Sequence, residues 1–214
     1  MIRNIVFDMG KVLLDYDPLA VCRKFTDKKE DVERIGRELF FAEEWILLDR
    51  GVITEAEALK RVQSRLPEER LKKLAEDSLA HWHEYNLRPM KGMEELIRSL
   101  KEKGYGIYLC SNASLRLRVY EQEIPGSRYF DGTIVSAEER LLKPDPAIYR
   151  RLFEKYHLSP GECFFIDDRP ENIEGARSCG MDGYCFSDGD AEKLRSFLEK
   201  YLRRNGQKPV FLCK

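Results

Sequence analysis

An aspartate, Asp8, ends the apolar run IVFD, and a glycine, Gly10, stands two residues after it. Further along, Ser111 and Asn112 close YLCSN, Lys143 sits in LLKPDP, and the adjacent acids Asp167 and Asp168 close FFIDD, with Asn172 beyond them. Each has an ordinary reading alone: Asp8 as a turn former or helix cap, Ser111 and Asn112 as a cap and turn pair, and Lys143 as the lead into a helix whose first turn includes Pro144 and Pro146. Neighbouring acids at a buried strand end are different, because they repel one another unless a cation or donors compensate. Carboxylate oxygens suit Mg2+, which commonly shares phosphate oxygens. A lysine and a hydroxyl can hold the remaining phosphate oxygens, while the metal neutralises charge facing an attacking carboxylate. An aspartate nucleophile then makes sense as an acyl-phosphate former. The set is far more specific than any member.

These groups need elements that bring them together. Four short apolar segments end in polar or turn residues: IRNIVFD (2–8), YGIYLCSN (105–112), GTIVSAEE (132–139) and CFFIDD (163–168). Helical patterns such as MEELIRSLKEKG and PAIYRRLFEKYH alternate with them, and a fifth strand is expected in DGYCFS (182–187). Such alternation predicts an α/β fold with a doubly wound parallel sheet and right-handed crossovers, in which ligands collect at the carboxyl ends of the strands. Asp8, Ser111 and Asp167 all fall there. Between the first two strands, residues 15–90 have little strand character. They carry the helical patterns DVERIGRELFFAEEWILLDRG, TEAEALKRVQSRL and EERLKKLAEDSLAHWHEYN, broken at Leu66 and Pro67. Thr54 and Glu57 have capping-box spacing. The expected organisation is a core domain of residues 1–14 and 91–204, a helical cap of 15–90 inserted after the first strand, and a tail of 205–214 that is either a last strand or a flexible end.

Composition narrows the class. The 214 residues are 43% hydrophobic and 35% charged, with 37 Lys+Arg against 38 Asp+Glu, which describes a soluble globular chain. That balance offers no electrostatic case for nucleic acid or an anionic membrane. Six scattered cysteines without a CxxC pair read as reduced small hydrophobes. Without a signal-like or membrane-length apolar run, a cytoplasmic location is expected. The expected partners are a small phosphorylated molecule and at most a second copy of the chain, as a monomer or homodimer.

In order, FDMGKV, YLCSN, RLLKPDPAIY and FFIDDRPENIEGARSCGM resemble the four motifs of the haloacid dehalogenase-like (HAD) hydrolase superfamily, covering about residues 2–187. The insert resembles the family's helical cap, and the long fourth motif with KPDPAIY resembles the bacterial branch that includes α-D-glucose-1-phosphate phosphatase. The resemblance implies a Rossmann-like HAD core and a Mg2+-dependent phosphatase that acts on a small phosphorylated metabolite, such as glucose 1-phosphate, through an aspartyl-phosphate. It assigns Asp8 to attack on phosphorus and Asp8, Asp167 and the Gly10 backbone carbonyl to the metal. Asp168 supports that metal through its water shell, and Ser111, Asn112 and the catalytic Lys143 cradle the phosphate.

Gly10 departs from the family's usual phosphatases, which carry there a second aspartate acting as general acid and then base. Glycine transfers no proton, and such help is worth about two to four orders of magnitude in rate. The glucose-1-phosphate branch resembles this chain in having glycine there. An anomeric phosphate leaves as a relatively good leaving group, and water or a cap residue is left to carry the proton. Lys11 and Asp15 are speculative substitutes, set against a reading as solvated loop charges. Two alternatives follow. A 2-haloacid dehalogenase also lacks that aspartate, but its fourth motif is not built for a metal as Asp167 and Asp168 are. A non-catalytic phosphometabolite-binding protein would keep Mg2+ without turnover.

Substrate choice is expected from the cap. Trp45, Arg50, Phe40 and Phe41 are candidates to face the crevice, although Phe41 and Trp45, four apart, suggest packing within the cap. His81 and His83 are two apart and share no helix face, which argues against a metal pair. Arg169 either pairs with a carboxylate at the strand end or sits at the rim.

Overall fold

The computed structural model describes residues 1–206, with side chains to residue 204. Seven strands occur among them: β1 (Asn4–Phe7), β2 (Leu14–Tyr16), β3 (Leu87–Pro89), β4 (Gly106–Ser111), β5 (Gly132–Val135), β6 (Cys163–Asp167) and β7 (Asp182–Cys185). Five form one sheet in the order β5-β4-β1-β6-β7, and every pairing in it is parallel. The expected α/β parallel sheet is therefore present, with β1 at its centre. Apolar residues alternate between its faces. Ile5, Phe7, Leu109, Phe164 and Ile166 join one buried cluster, and Val6, Tyr108, Cys110, Ile134 and Phe165 join the other.

The helices are α1 (Ala20–Phe25), α2 (Lys29–Ile35), α3 (Glu43–Asp49), α4 (Glu55–Ser64), α5 (Glu69–Asn86), α6 (Met93–Glu102), α7 (Leu117–Tyr120), α8 (Ser136–Glu139), α9 (Pro146–Tyr156), α10 (Pro170–Ser178) and α11 (Ala191–Gly206). Met93, Leu96, Ile97 and Leu100 put a buried stripe on α6, which with α11 covers the first cluster. Ile148, Tyr149, Leu152 and Phe153 of α9 and Ile173 and Ala176 of α10 cover the second. The capping box at Thr54 and Glu57 forms at the start of α4.

Several local expectations are corrected. GTIVSAEE is a strand only to Val135, after which α8 begins at Ser136. The helix after Lys143 starts at Pro146 with Asp145 as its cap, so Pro144 lies outside it. The pattern 31–51 is not one helix. Gly36, a weak helix former, opens a wide π-type turn over Gly36–Phe40, and the chain restarts as α3 at Glu43. The stretch between the first two sheet strands also carries unanticipated β structure, because β2 and β3 pair antiparallel where the chain enters and leaves the helices α1–α5. Of the tail, residues 205–206 end α11, and the remainder lies outside the described residues, as does Cys213. No helix among the described residues is long and apolar enough to cross a membrane.

Candidate active site

Because β4, β1 and β6 are parallel neighbours, their carboxyl ends lie side by side. Ser111 ends β4, Asp8 follows β1, and Asp167 ends β6. The Asp8 amide extends the ladder by donating to the Ile166 carbonyl at 2.8 Å, which holds Asp8 beside Asp167. Lys143 arrives from the loop between α8 and α9. Asn112 fixes that loop, since Lys143 N donates to Asn112 Oδ1 at 2.8 Å and Asn112 Nδ2 donates to Lys143 O at 3.0 Å. Each end of the Asn112 side-chain amide thus makes one bond that positions Lys143, and Asn112 itself lines the cavity described below.

Lys143 is the electrostatic centre. Its ammonium is buried, 2.8 Å from Asp8 Oδ1 and 2.6 Å from Asp167 Oδ2. Burial alone would lower the lysine pKa, but the charges of Asp8 and Asp167 outweigh it and raise it, so the amine is cationic. Burial pushes the Asp8 carboxyl up to about 6, with Lys143 opposing and the Asp167 charge adding. Asp167 is held from several sides. The Arg169 amide donates to its Oδ1 at 2.9 Å, and Asn172 Nδ2 reaches both oxygens at 2.9 and 3.0 Å. Asn172, 2% exposed, was no candidate from sequence; its signal is its place in the first turn of the helix that follows the acid pair.

The three acids also fit a divalent ion. Carboxylate oxygens of Asp8, Asp167 and Asp168 all lie within 4.8 Å of one another. Asp8 Oδ1 is buried and has no hydrogen bond of good geometry, with the Lys143 ammonium 2.8 Å away. Asp168 is half-buried, and burial followed by the neighbouring Asp167 charge raises its pKa. An all-oxygen set with a spare buried acceptor suits Mg2+.

Asp8 and Asp168 open on a cavity of about 390 Å3 that also includes Gly10, Ser111, Asn112 and Lys143 in its lining. Every candidate phosphate and metal residue from sequence except Asp167 thus lines one cavity, and Asp167, fully buried, touches it through Lys143 at 2.6 Å. Its other wall comes from the helical insert and its stems: Tyr16, Trp45, Ile46, Asp49, Trp82 and Leu87. Trp82 ties this wall together, with ring centroids 5.2 Å from Trp45, 5.7 Å from Tyr120 and 6.4 Å from Tyr16.

Of the other candidates, Trp45, Lys11 and Arg169 line the cavity and the rest fall elsewhere. Trp45 packs on Phe40, at 4.9 Å between ring centroids, while Phe41, its expected partner, is exposed. Arg50 is exposed and outside the cavity lining. Lys11, in the cavity lining, pairs at 2.6 Å with Asp15, which is outside it, and both side chains are about half exposed. His81 contacts Glu84 at 2.8 Å, and His83 stacks on Tyr120. Arg169 lines the cavity with its guanidinium paired to Glu171. Asp49 was missed altogether. Burial pushes its carboxyl up to about 7, hydrogen bonding from the Ser114 backbone opposing and the Asp8 charge adding.

Comparison with known proteins agrees with this architecture. Residues 2–180 match the family described as haloacid dehalogenase-like hydrolase. The chain belongs to the haloacid dehalogenase-like hydrolases. Among its relatives, it is 28% identical over 194 residues to the sesquiterpene phosphatase astK of Aspergillus oryzae, covering 87% of this chain and 90% of that protein. It is 25% identical over 197 residues to the D-ribitol-5-phosphate phosphatase of Bacteroides thetaiotaomicron, covering 86% and 91%. A HAD family enzyme from the same bacterium, crystallised with magnesium and inorganic phosphate, superposes with a TM-score of 0.68 at 26% identity, over 86% of this chain and 93% of that one.

Proposed function

We propose that this hydrolase is a magnesium-dependent phosphatase that cleaves a small phosphorylated metabolite through an aspartyl-phosphate on Asp8. One observation carries the reading: the carboxylates of Asp8, Asp167 and Asp168 lie within 4.8 Å of one another beside the buried Lys143, and Asp8, Asp168 and Lys143 line one cavity. In this reading residues 15–90 form the cap and the strands below form the core. Asp8 and Asp167, with the Gly10 carbonyl, would hold Mg2+, and Asp168 would support it. The ion supplies positive charge that draws in phosphate oxygens and stabilises the charge of the transition state. Lys143 and the Ser111 hydroxyl bind further phosphate oxygens, and Asp167 and Asn112 keep Lys143 in place. Lys143 also offsets the Asp8 charge, so an anionic phosphate can approach an anionic nucleophile.

Attack by Asp8 forms a carboxyl oxygen–phosphorus bond as the bond to the leaving oxygen breaks. Water then cleaves the acyl-phosphate and restores Asp8. The phosphatase names of the relatives support this chemistry, and the acid pair Asp167–Asp168 sets it apart from halide displacement. A sugar phosphate is the substrate class the family resemblance supports, and Tyr16, Trp45 and Trp82 put aromatic rings in the cavity lining, a surface a sugar would pack against. The test is phosphate release from sugar phosphates, nucleotides, terpenyl phosphates and small organic phosphates, with and without Mg2+. Release that needs Mg2+ and disappears in Asp8→Asn supports the reading. No release above that variant from any compound, with inorganic phosphate and Mg2+ still bound, turns it to the non-catalytic binder.

A further inference from the structure

An alkoxide leaving group needs a proton, and two residues beyond the nucleophile this chain has only Gly10. The cavity lining supplies few substitutes. Of its carboxyl groups, Asp8 is the nucleophile and Asp168 belongs to the metal cluster, which leaves Asp49. The Lys11 ammonium is engaged by Asp15 at 2.6 Å. Burial raises the phenols of Tyr16 and Tyr120, which makes them poor acids near neutrality.

We propose that Asp49, reaching the cavity from α3 of the helical insert, is the general acid and base of this reaction, in the place that Gly10 leaves unfilled. The proposal rests on the phosphatase reading above. As Asp8 forms its bond to phosphorus, the breaking P–O bond leaves its electron pair on the substrate oxygen, which takes the proton of the Asp49 carboxyl and departs as an alcohol. The resulting Asp49 carboxylate then accepts a proton from water while the water oxygen bonds to phosphorus. The Asp8–phosphorus bond breaks, releasing inorganic phosphate and returning Asp8 as carboxylate and Asp49 as acid.

The backbone around Asp49 is built to hold that position. Ser136 Oγ, at the start of α8, donates to the Asp49 carbonyl at 2.5 Å and accepts from the Ala113 amide at 2.8 Å. One hydroxyl thus ties the end of α3 to the loop that follows Ser111. Two residues on, Gly51 has φ +68°, and a Cβ there would stand 2.0 Å from the Ala137 carbonyl oxygen. Only glycine permits this close approach of insert to core.

The electrostatic setting matches a proton donor. The carboxyl is raised to about 7 by burial, against hydrogen bonding from the Ser114 backbone and with help from the Asp8 charge, so much of it is protonated near neutral pH. Tyr16 of β2 and Tyr120 of α7 face it as neutral phenols. Among the charges on the other elements packed against α3, Glu38 pairs with Arg65, Glu55 with Arg116, Glu138 with Arg118, and Glu139 with Arg151 and Lys155.

The experiment compares the alkyl phosphate turned over best with p-nitrophenyl phosphate, whose leaving group needs no proton. Asp49→Asn should lower kcat on the alkyl substrate by about 10²- to 10⁴-fold. On p-nitrophenyl phosphate it should release a rapid burst of about one nitrophenolate per chain, followed by slow turnover, because the second step has lost its base. A Cβ at Gly10 meets nothing within 4 Å, so Gly10→Asp has room and should recover at least about tenfold in the Asp49→Asn background. Unchanged alkyl turnover in Asp49→Asn, or an equal loss on both substrates without a burst while inorganic phosphate still binds, overturns the proposal and leaves the phosphatase reading standing. If Asp49→Asn fails to bind inorganic phosphate, Asp49→Glu decides: an alkyl-to-aryl rate ratio like that of the wild type supports the role, and a collapsed ratio overturns it. A wild type inactive on every phosphate, like Asp8→Asn, overturns both.

Discussion

Asn112 and Lys143 are joined by two hydrogen bonds, 2.8 Å from the Lys143 amide to Asn112 Oδ1 and 3.0 Å from Asn112 Nδ2 to the Lys143 carbonyl. The amide of one strand end thereby fixes the loop that delivers the ammonium to two others. Asn112→Ala removes both bonds and should cost about 1–3 kcal/mol of stability. It should also weaken phosphate binding, because Lys143 is no longer held. Urea unfolding and calorimetric titration with inorganic phosphate in Mg2+ read the two effects.

Removing the ammonium itself is expected to be harsher. Lys143→Met leaves Asp8 and Asp167 facing one another in a buried site without their counter-charge, a change of about 3–5 kcal/mol. Saturating Mg2+ should return part of that loss by replacing the positive charge. Denaturant midpoints with and without Mg2+ check both statements.

Metal binding and stability should be linked through the same acids. At about one hundred times its Kd, Mg2+ should stabilise the wild type by about 2.7 kcal/mol relative to chelator. In Asp167→Ala the Mg2+-dependent gain should shrink sharply, since one of the three clustered carboxylates is gone. Thermal melts in Mg2+ and in EDTA make the comparison.

Asp49 predicts a particular pH dependence. Its folded-state pKa, about 7, lies above its ordinary 3.8, so between those values the folded chain holds a proton that the unfolded chain has lost. Stability from this group therefore falls as pH rises from about 4 to about 7, and the loss is complete above that window. In chelator, the wild type should lose stability relative to Asp49→Asn across that range and then run parallel to it. Urea midpoints taken from pH 4 to pH 8 test the sign.

The strand ends were readable because a parallel sheet turns a sequence pattern into a place. An apolar run that stops at Asp8, Ser111 or Asp167 says which end of the sheet the polar group occupies. The helical insert was less transparent. Nothing in DVERIGRELFFAEEWILLDRG marks the wide turn at Gly36–Phe40, because the apolar spacing continues through it. The ribbon of Leu14–Tyr16 with Leu87–Pro89 joins segments more than seventy residues apart, too short and too distant for local pattern to signal. Asp49 was hidden for a related reason: on its own helix it is an ordinary acid near an Arg and a Gly. Its distinction comes from Asp8, Ser114 and Ser136, all distant in sequence. For Asn112 the place was legible, while the bonds of its amide to the Lys143 backbone, thirty-one residues away, were not.

The ribbon formed by β2 and β3 brings the two polypeptide passages into the helical insert side by side. On the proposal above, replacing the insert at that paired stem would remove Asp49 with it while leaving Asp8 on the sheet, and a replacement lid without an acid of its own would confine the enzyme to esters whose leaving group departs unaided.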